Sequence, residues 1–253
     1  MEARRLAQVL REVGGAGAAV DTGWMACDIP GSWANFAAGL GLKGPVSEGA
    51  FDTLIAFYDA HQRPCRVQVT PYQHPSLEKG LEARGFRIVD REVVMVHPLT
   101  SLPSQPPPEG LEIRPLEPSD VRDIEAFCDA QGRAFYPEDG LPSGMRPISV
   151  RVATHSRSKL WLLTHEGELV GSGGLEGFEG GCVLFGGGVT PEARRMGIHS
   201  AFIAHRVAAA KAMGFGYATI ASIPGGPTER NARRAGFSPS YTEQTWERTP
   251  RRA

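Results

Sequence analysis

The sequence lacks several features that would assign it to a common class of protein. Its four cysteines, Cys27, Cys65, Cys128 and Cys182, are widely spaced, and none forms a Cys-x-x-Cys pair. This spacing argues against a disulfide framework and against a zinc site, so we expect no bound metal. Such cysteine usage fits a reducing compartment, and the predicted location is the cytoplasm.

Long apolar runs and a strong charge of either sign are also missing. No apolar segment approaches the length of a membrane span, and the residues after Met1 lack the apolar core of a signal peptide. The formal net charge of the 253 residues is −1, so the charge balance indicates neither nucleic acid nor a membrane as a partner. Hydrophobic residues make up 41% of the chain, which suffices for a packed core.

One segment breaks the chain into two parts. Residues 101–110 contain four prolines, which cannot form a helix or a central strand, so they predict an extended linker. We therefore expect one domain at residues 1–100 and a second at residues 111–253.

The second part shows a clear succession of patterns, except at residues 137–158. Alternating and helical spacings predict the order β-α-α-β-β-β-α-β-α-β. A strand is expected at 111–116, and Ser119 or Asp120 is expected to cap the helix that follows it. The remaining expected elements are strands at 159–164 and 169–173 joined by a turn, a strand at 181–190, a helix from Ile198, a strand from Tyr217, a helix near 227–235 and a strand near 242–246.

The most informative stretch is residues 186–200, where a short apolar strand leads through a basic turn into an alanine-rich helix. Backbone N–H groups at a helix start have no partner inside the helix, and the helix dipole adds positive charge there. Arg194 and Arg195 supply two cations, and Gly197 lets a bulky anion approach the backbone. Because a structural role offers these arginines no evident compensation, the turn predicts a pyrophosphate site.

This stretch resembles the acyl-CoA-binding motif of the GNAT N-acetyltransferases, Gln/Arg-x-x-Gly-x-Gly/Ala. Here the motif reads Arg-Arg-Met-Gly-Ile-His at residues 194–199, and it departs from the family at His199. The Gly-Phe pair at 236–237 matches the end of the family's closing helix, and the resemblance covers roughly residues 111–247. It implies an α/β (α+β) fold with a mixed, mostly antiparallel sheet flanked by helices.

The resemblance also implies acetyl-CoA as co-substrate. The N–H groups of 195–200 would hold its pyrophosphate, and the strand at 188–190 would hold the pantetheine and polarise the thioester. His199 either donates to a phosphate or points away, and Asn231 either contacts the pantetheine arm or is an ordinary polar helix residue. The predicted cofactor-binding residues are Gly188, Val189, Thr190, Arg194, Arg195, Met196, Gly197, Ile198, His199, Ser200 and Asn231.

The catalytic groups are less evident. Transfer to an amine requires a base, yet residues 182–190 contain no carboxylate. Glu176 is the predicted candidate, and a solvated loop carboxylate is the alternative. Many relatives have a tyrosine acid where this chain has Ala232. Tyr241 is the predicted substitute, and a packing tyrosine on the last strand is the alternative.

The first hundred residues show a weak likeness to the last hundred at an offset of 151 residues. Gly85-Phe86 then falls on Gly236-Phe237, and the order of predicted elements agrees, which predicts a degenerate GNAT-like half; chance is the alternative. Where the second half has its basic turn, the first has Gly44-Pro45-Val46. Since proline has no N–H, we expect no second acyl-CoA site.

The predicted function is transfer of an acetyl group from acetyl-CoA to an amine by direct attack in a ternary complex. The acceptor would be a small-molecule amine or a peptide, and the chain leaves open whether it forms a homodimer. A non-catalytic acyl-CoA-binding or sensing module is the main alternative, and a purely structural interaction protein is the third.

Overall fold

The computed structural model describes residues 1–103 and 106–250 and divides the chain into two compact units. Unit 1 contains residues 1–92 and the C-terminal segment from Tyr241, and unit 2 contains residues 93–240. Ser104 and Gln105 of the predicted linker and residues 251–253 lie outside the described residues.

Unit 1 combines three helices with a sheet. The order along the sheet is β1-β2-β3-β4, and the last strand of the chain, β11, pairs antiparallel with β4 from Val69↔Gln244 to Cys65↔Arg248. Its elements are α1 (Glu2–Val13), β1 (Ala16–Val20), β2 (Gly23–Cys27), β3 (Phe36–Ala38), α2 (Glu48–Ala60), β4 (Cys65–Val69), α3 (Ser76–Ala83), the first part of β5 (Arg87–His97) and most of β11 (Ser238–Arg248).

The core of unit 1 forms between α2 and the sheet. Phe51, Leu54 and Tyr58 recur at helical spacing and are buried, so they place one face of α2 on the strands. Val67 of β4 and Trp246 of β11 belong to the same buried cluster. The C-terminal strand is therefore part of this core.

Unit 2 carries the predicted order of elements. Its strands lie in the order β5-β10-β9-β8-β7-β6, and every neighbouring pair is antiparallel except β9 and β10. The elements, after residues 93–97 of β5, are β6 (Leu111–Pro115), α4 (Val121–Phe135), α5 (Arg146–Ala153), β7 (Ser158–His165), β8 (Glu168–Phe178), β9 (Gly181–Val189), α6 (Ile198–Ala212), β10 (Tyr217–Ser222) and α7 (Pro227–Arg234), followed by the start of β11.

Helices α4 and α6 cover opposite faces of this sheet. Leu160 and Leu162 of β7 pack in the cluster that contains Phe127 of α4. Trp161 and Leu163 pack in the cluster that contains Phe202 of α6. Successive residues of a strand point to opposite faces, so the alternation along β7 separates the two helices.

The structure confirms the predicted fold class and the predicted order of elements. Asp120 caps α4 by accepting a hydrogen bond from the N–H of Arg122. The segment without a clear pattern, 137–158, contains α5, a helix of eight residues. None of the helices in the described ranges is long and apolar enough to cross a membrane.

The two compact units differ from the predicted domains at 1–100 and 111–253. Residues 93–97 of β5 pair with β10 and so belong to unit 2, although they precede the predicted linker. The C-terminal strand pairs with β4 and belongs to unit 1. Each half of the sequence thus ends in a strand whose hydrogen-bonding partner is in the other half.

The bounds of two elements of the first half coincide with those of two elements of the second half at the offset of 151 residues. Moved by this offset, α3 falls on 227–234 and β5 on 238–248, which are the bounds of α7 and β11. The turns before these strands match as well. Phe86 donates to the carbonyl of Leu81, and Phe237 donates to the carbonyl of Ala232. That the first half is a degenerate GNAT-like domain stays a prediction.

Candidate functional site

The predicted phosphate turn connects β9 to α6 within unit 2. A short 3-10 turn at Pro191–Ala193 follows β9, and α6 begins at Ile198. Gly197 precedes the helix with a φ of +82°, a conformation that strains residues with a Cβ. It has no side chain to cap α6, so the helix start is left for another partner.

Six consecutive backbone N–H groups of this turn are available to a ligand. Those of residues 195–200 form no hydrogen bond with a described residue. φ is positive at Arg195 (+67°) and at Gly197, whereas Met196 between them is not in the left-handed region. Alternation of this kind directs successive N–H groups into one concavity that suits an anion. The positive end of the α6 dipole adds to it.

The two arginines of the turn have different surroundings. Arg194 donates from Nη2 to the carbonyl of Ala134 at 3.0 Å and from Nε to the carbonyl of Val189 at 3.4 Å. The interpretation that a structural role does not compensate these charges is therefore wrong for Arg194, which ties the turn to α4 and β9. Arg194, Arg195 and Met196 are all exposed, but Arg195 has no hydrogen bond or ion pair to a described residue. Arg195 is thus the cation of the turn whose side chain is free to turn toward an incoming phosphate.

His199 and Asn231 hydrogen-bond to each other. Asn231 donates from Nδ2 to His199 Nδ1 at 2.9 Å, and its Oδ1 accepts from Arg234 Nη1 at 2.8 Å. The other ring nitrogen of His199 then holds the proton, and the backbone of Gly187 is near enough to raise the pKa of the ring. Burial, followed by the charge of Arg206, lowers the His199 pKa to about 4, so the ring is neutral at pH 7.

Neither predicted role of His199 matches this geometry. The ring does not face the turn as a phosphate donor, and it does not point away from the protein. The ring lies against β9. The N–H groups of the turn belong to the backbone, so they stay open whichever side chain stands at position 199. Both Nδ2 and Oδ1 of Asn231 form hydrogen bonds within the protein. The side-chain amide is therefore already engaged where a contact with pantetheine is predicted.

The glycine segment of β9 contains a β-bulge. In the ladder with β8, two residues, Gly186 and Gly187, lie opposite the single residue Gly173. Gly186 has a φ of +57°, the left-handed conformation found at the first residue of one bulge type. Bulges interrupt regular pairing and occur often beside active sites, where they redirect backbone groups.

The ladder between β9 and β10 ends beside this bulge. The two strands pair in parallel from Gly181↔Tyr217 to Leu184↔Ile220. β9 continues to Val189, but within the described residues its ladder with β10 does not. Backbone groups of β9 beyond Leu184 are therefore outside this ladder and can pair with an extended ligand.

Side chains hold two consecutive carbonyl groups of the bulged segment, from both faces of the sheet. Arg206 comes from α6, and Gln131 comes from α4. The contacts are Arg206 Nη1 to Phe185 at 3.3 Å and Gln131 Nε2 to Gly186 at 2.8 Å.

Sequence reasoning missed Gln131 and Arg206. A signal for Arg206 was present, because it stands between Ile203 and Val207 on the face of α6 that carries the apolar residues. Gln131 gave no comparable signal, since a polar residue in α4 is ordinary without knowledge of the bulge.

The remaining predicted cofactor residues contribute through backbone or packing. Gly188 is buried, and a Cβ added to it would lie 2.7 Å from that of Ala134. Val189 and Thr190 are buried, and the Thr190 N–H donates to the carbonyl of Val170. Ile198 belongs to the core, and Ser200 is partly exposed in the first turn of α6.

Glu176 is buried rather than solvated. It lies on β8 opposite Val183 and accepts a hydrogen bond from Arg157 Nη2 at 2.8 Å. Gly186, where the bulge begins, lies three residues beyond Val183, which is about 10 Å along a strand. Glu176 is therefore an ion-paired residue at the far end of the β8–β9 ladder.

Tyr241 belongs to unit 1, whereas the phosphate turn belongs to unit 2. Its ring meets that of Tyr72 edge-on, with centroids 5.1 Å apart. Burial, followed by the charge of Glu243, raises the pKa of its hydroxyl. These contacts match the packing alternative. Ala232, at the position of the family's tyrosine, is fully buried in unit 2.

The turn of the first half is closed by side chains. Ser47 caps α2 by accepting from the N–H of Ala50, and the N–H of Val46 donates to Ser76 Oγ at 2.8 Å. Pro45 has no N–H to offer. This helix start therefore offers fewer open N–H groups than the start of α6.

Comparison with known proteins identifies the fold. No family model matches the sequence, and no curated protein matches it. Solved structures do match. A GCN5-related N-acetyltransferase from Kribbella flavida is 18% identical, with a TM-score of 0.71 over 96% of this chain and 94% of that one.

Two further structures agree with this match. A tandem GNAT protein from the clavulanic acid biosynthesis pathway is 14% identical, with a TM-score of 0.61 over 81% of this chain and 70% of that one. A GCN5-related N-acetyltransferase from Sphaerobacter thermophilus is 21% identical, with a TM-score of 0.58 over 76% of this chain and 61% of that one.

Proposed function

The chain has the fold of the GCN5-related N-acetyltransferases, and we propose that it transfers an acetyl group from acetyl-CoA to an amine. The proposal goes beyond acyl transfer in general, which the fold supports. A single observation carries it: the six open N–H groups of residues 195–200 at the uncapped start of α6. A pyrophosphate supplies the acceptor oxygens and the negative charge that this turn lacks.

The rest of the ligand would follow β9. The pantetheine arm would lie where β9 leaves β10, and the thioester carbonyl would approach the bulge. Backbone N–H groups fixed in such a place stabilise the oxyanion that forms when an amine attacks the carbonyl. The amine nitrogen then gains a bond to the acyl carbon, and the carbon–sulfur bond breaks to release the CoA thiolate.

Direct attack is favoured over an acyl-enzyme intermediate. All four cysteines are buried, Cys182 on β9 completely, and a buried thiol in apolar surroundings is a poor nucleophile. The ammonium proton of the acceptor must leave before attack. With Glu176 paired to Arg157, we propose that water carries this proton, and that the protein positions the amine and the thioester.

A non-catalytic acyl-CoA-binding module is the second candidate. Burial of Ala232 at the tyrosine position and the ion pair of Glu176 favour it, because neither conventional acid–base group is in place. The two candidates share the ligand and differ in turnover.

Thermal unfolding in the presence of acetyl-CoA tests whether the protein binds this ligand, which both candidate functions require. Ligand at about one hundred times its dissociation constant should stabilise the fold by about 2.7 kcal/mol. An unchanged unfolding temperature at saturating ligand would refute acyl-CoA binding. Release of free thiol with a panel of polyamines, aminoglycosides, amino acids and peptides then separates the enzyme from the binding module.

A further inference from the structure

Arg206 is a buried cation without an anionic partner. Its side chain is fully buried in the middle of α6, and no carboxylate of the described residues forms an ion pair with it. Burial lowers its pKa to about 9, so the guanidinium stays charged at pH 7. Isolated buried charges are costly, and apolar residues of similar size often replace them without loss of stability. Packing alone therefore does not account for an arginine at this position.

The guanidinium joins the two strands that form the bulge. Nη1 donates to the carbonyl of Gly174 on β8 at 3.2 Å and to that of Phe185 on β9 at 3.3 Å. The Cζ atom of the group lies over the ring of Phe202, 4.1 Å from its centroid. Nη2 has no hydrogen-bond partner among the described residues. The arginine is thus held in place, with one donor nitrogen left over.

The guanidinium occupies the space that a side chain at position 187 would need. A Cβ added to Gly187 would lie 2.5 Å from Nη2 and 2.9 Å from Nη1. The φ of Gly187 is not in the left-handed region, so its backbone conformation would accept alanine. Arg206 is therefore the group that requires glycine at 187, and the two residues form one structural unit.

We propose that Arg206 is a positioning residue that fixes the bulge of β9 against the acyl group of bound acetyl-CoA. It holds the carbonyl of Phe185 from the α6 side, while Gln131 holds that of Gly186 from the α4 side. Its charge lies beside Phe185 and Gly187, on the segment of β9 that we propose approaches the thioester. A fixed positive charge there favours the developing oxyanion, because no reorganisation is needed during the reaction.

This inference rests on the proposed function, and its test separates the two. Calorimetric titration with CoA and with acetyl-CoA gives two dissociation constants, whose ratio reports contacts made to the acetyl group alone. The wild-type protein should bind acetyl-CoA more tightly by about two- to tenfold, the range of one hydrogen bond.

Arg206→Met should reduce this ratio to about one, leave the affinity for CoA within about threefold, and leave the free energy of unfolding equal or higher. A purely structural arginine would instead lower stability and weaken both ligands together. An unchanged ratio, or a parallel loss of both affinities, would overturn the inference. If the wild-type protein binds neither ligand, the proposed function itself fails.

Gly187→Ala offers an independent route should Arg206→Met not fold. The added methyl displaces the guanidinium, so the ratio should fall in the same way. In the Arg206→Met background the methyl has room, and Gly187→Ala should have no further effect on the ratio. Gly49→Ala is the matched control, since a Cβ at Gly49 meets nothing within 4 Å. A ratio that Gly187→Ala leaves unchanged would contradict the inference.

Discussion

At the scale of single residues, the two ends of α6 provide a matched pair of glycines. Gly197 and Gly214 have φ of +82° and +80°, and both leave space for a side chain. Gly197→Asp places bulk and negative charge beside the open N–H groups, so it should abolish stabilisation by acetyl-CoA. Gly214→Asp makes the same change beyond the other end of the helix and should keep the stabilisation. The measurement is the shift of the unfolding temperature, and equal shifts in both variants would contradict the assigned turn.

The ion pair of Glu176 gives a second prediction. Glu176→Gln removes the carboxylate that accepts from Nη2 of Arg157, which is three-quarters buried, so the free energy of unfolding should fall by about 1–3 kcal/mol. Adding Arg157→Gln should recover part of this loss, because the buried charge that has lost this carboxylate is then removed as well. Binding of acetyl-CoA should be unchanged in both variants. A loss of turnover without any loss of stability would instead restore Glu176 as a base.

Glu243 makes stability depend on pH within unit 1. Burial and the neighbouring Glu92 and Glu2 raise its pKa to about 8, although Gln68 donates to it at 3.0 Å. An unfolded glutamate titrates near 4.3, so the folded state keeps the extra proton between these values. The free energy of unfolding should therefore fall as pH rises from about 4.5 to 8.

Glu243→Gln cannot ionise and should remove this pH dependence. The variant should equal the wild type near pH 4 and exceed its stability by about 1–3 kcal/mol at pH 8. Urea denaturation at both pH values checks this. Equal slopes against pH for the two proteins would show that Glu243 ionises freely in the folded state.

At the scale of elements, N–H groups at the start of α2 have side-chain hydrogen-bond partners, whereas those at the start of α6 have none among the described residues. Ser47→Ala should cost about 1 kcal/mol of unfolding free energy, because it removes the hydrogen bond to the N–H of Ala50. Acetyl-CoA should bind at one site per chain in this variant and in the wild type, as calorimetry will show. A stoichiometry of two would mean that the first turn also accepts the ligand.

Much of unit 2 was predictable from local pattern. The basic turn, the helix from Ile198 and the cap at Asp120 depend on neighbouring residues, and the structure has them where the sequence places them. The bulge and its two side-chain donors could not be predicted, because they depend on how β8 and β9 register across the sheet. The strand-pairing partners of β5 and β11 are likewise long-range choices that alternating hydrophobicity does not specify.

At the scale of the whole molecule, unit 1 depends on the end of the chain. β11 supplies Trp246 to its core and a ladder to β4. A chain that stops at Ser240 should lose amide-exchange protection in β4 and α2 while keeping it in β9 and β10, whose partners lie within unit 2. Hydrogen exchange followed by mass spectrometry resolves these segments. Full protection of β4 in the shortened chain would contradict this dependence.

In the sequence, unit 2 lies between the two segments of unit 1, and this order has a consequence for synthesis on the ribosome. Residues 93–240 are continuous, so unit 2 has every strand of its sheet once the chain has emerged past Ser240. Unit 1 begins to emerge first but stays incomplete until β11 leaves the exit tunnel. The N-terminal residues of unit 1 therefore cannot complete their sheet, and one edge of β4 stays unpaired, until β11 has been synthesised. Folding order would then be the reverse of translation order, and a nascent chain arrested near residue 240 would expose that edge to chaperones.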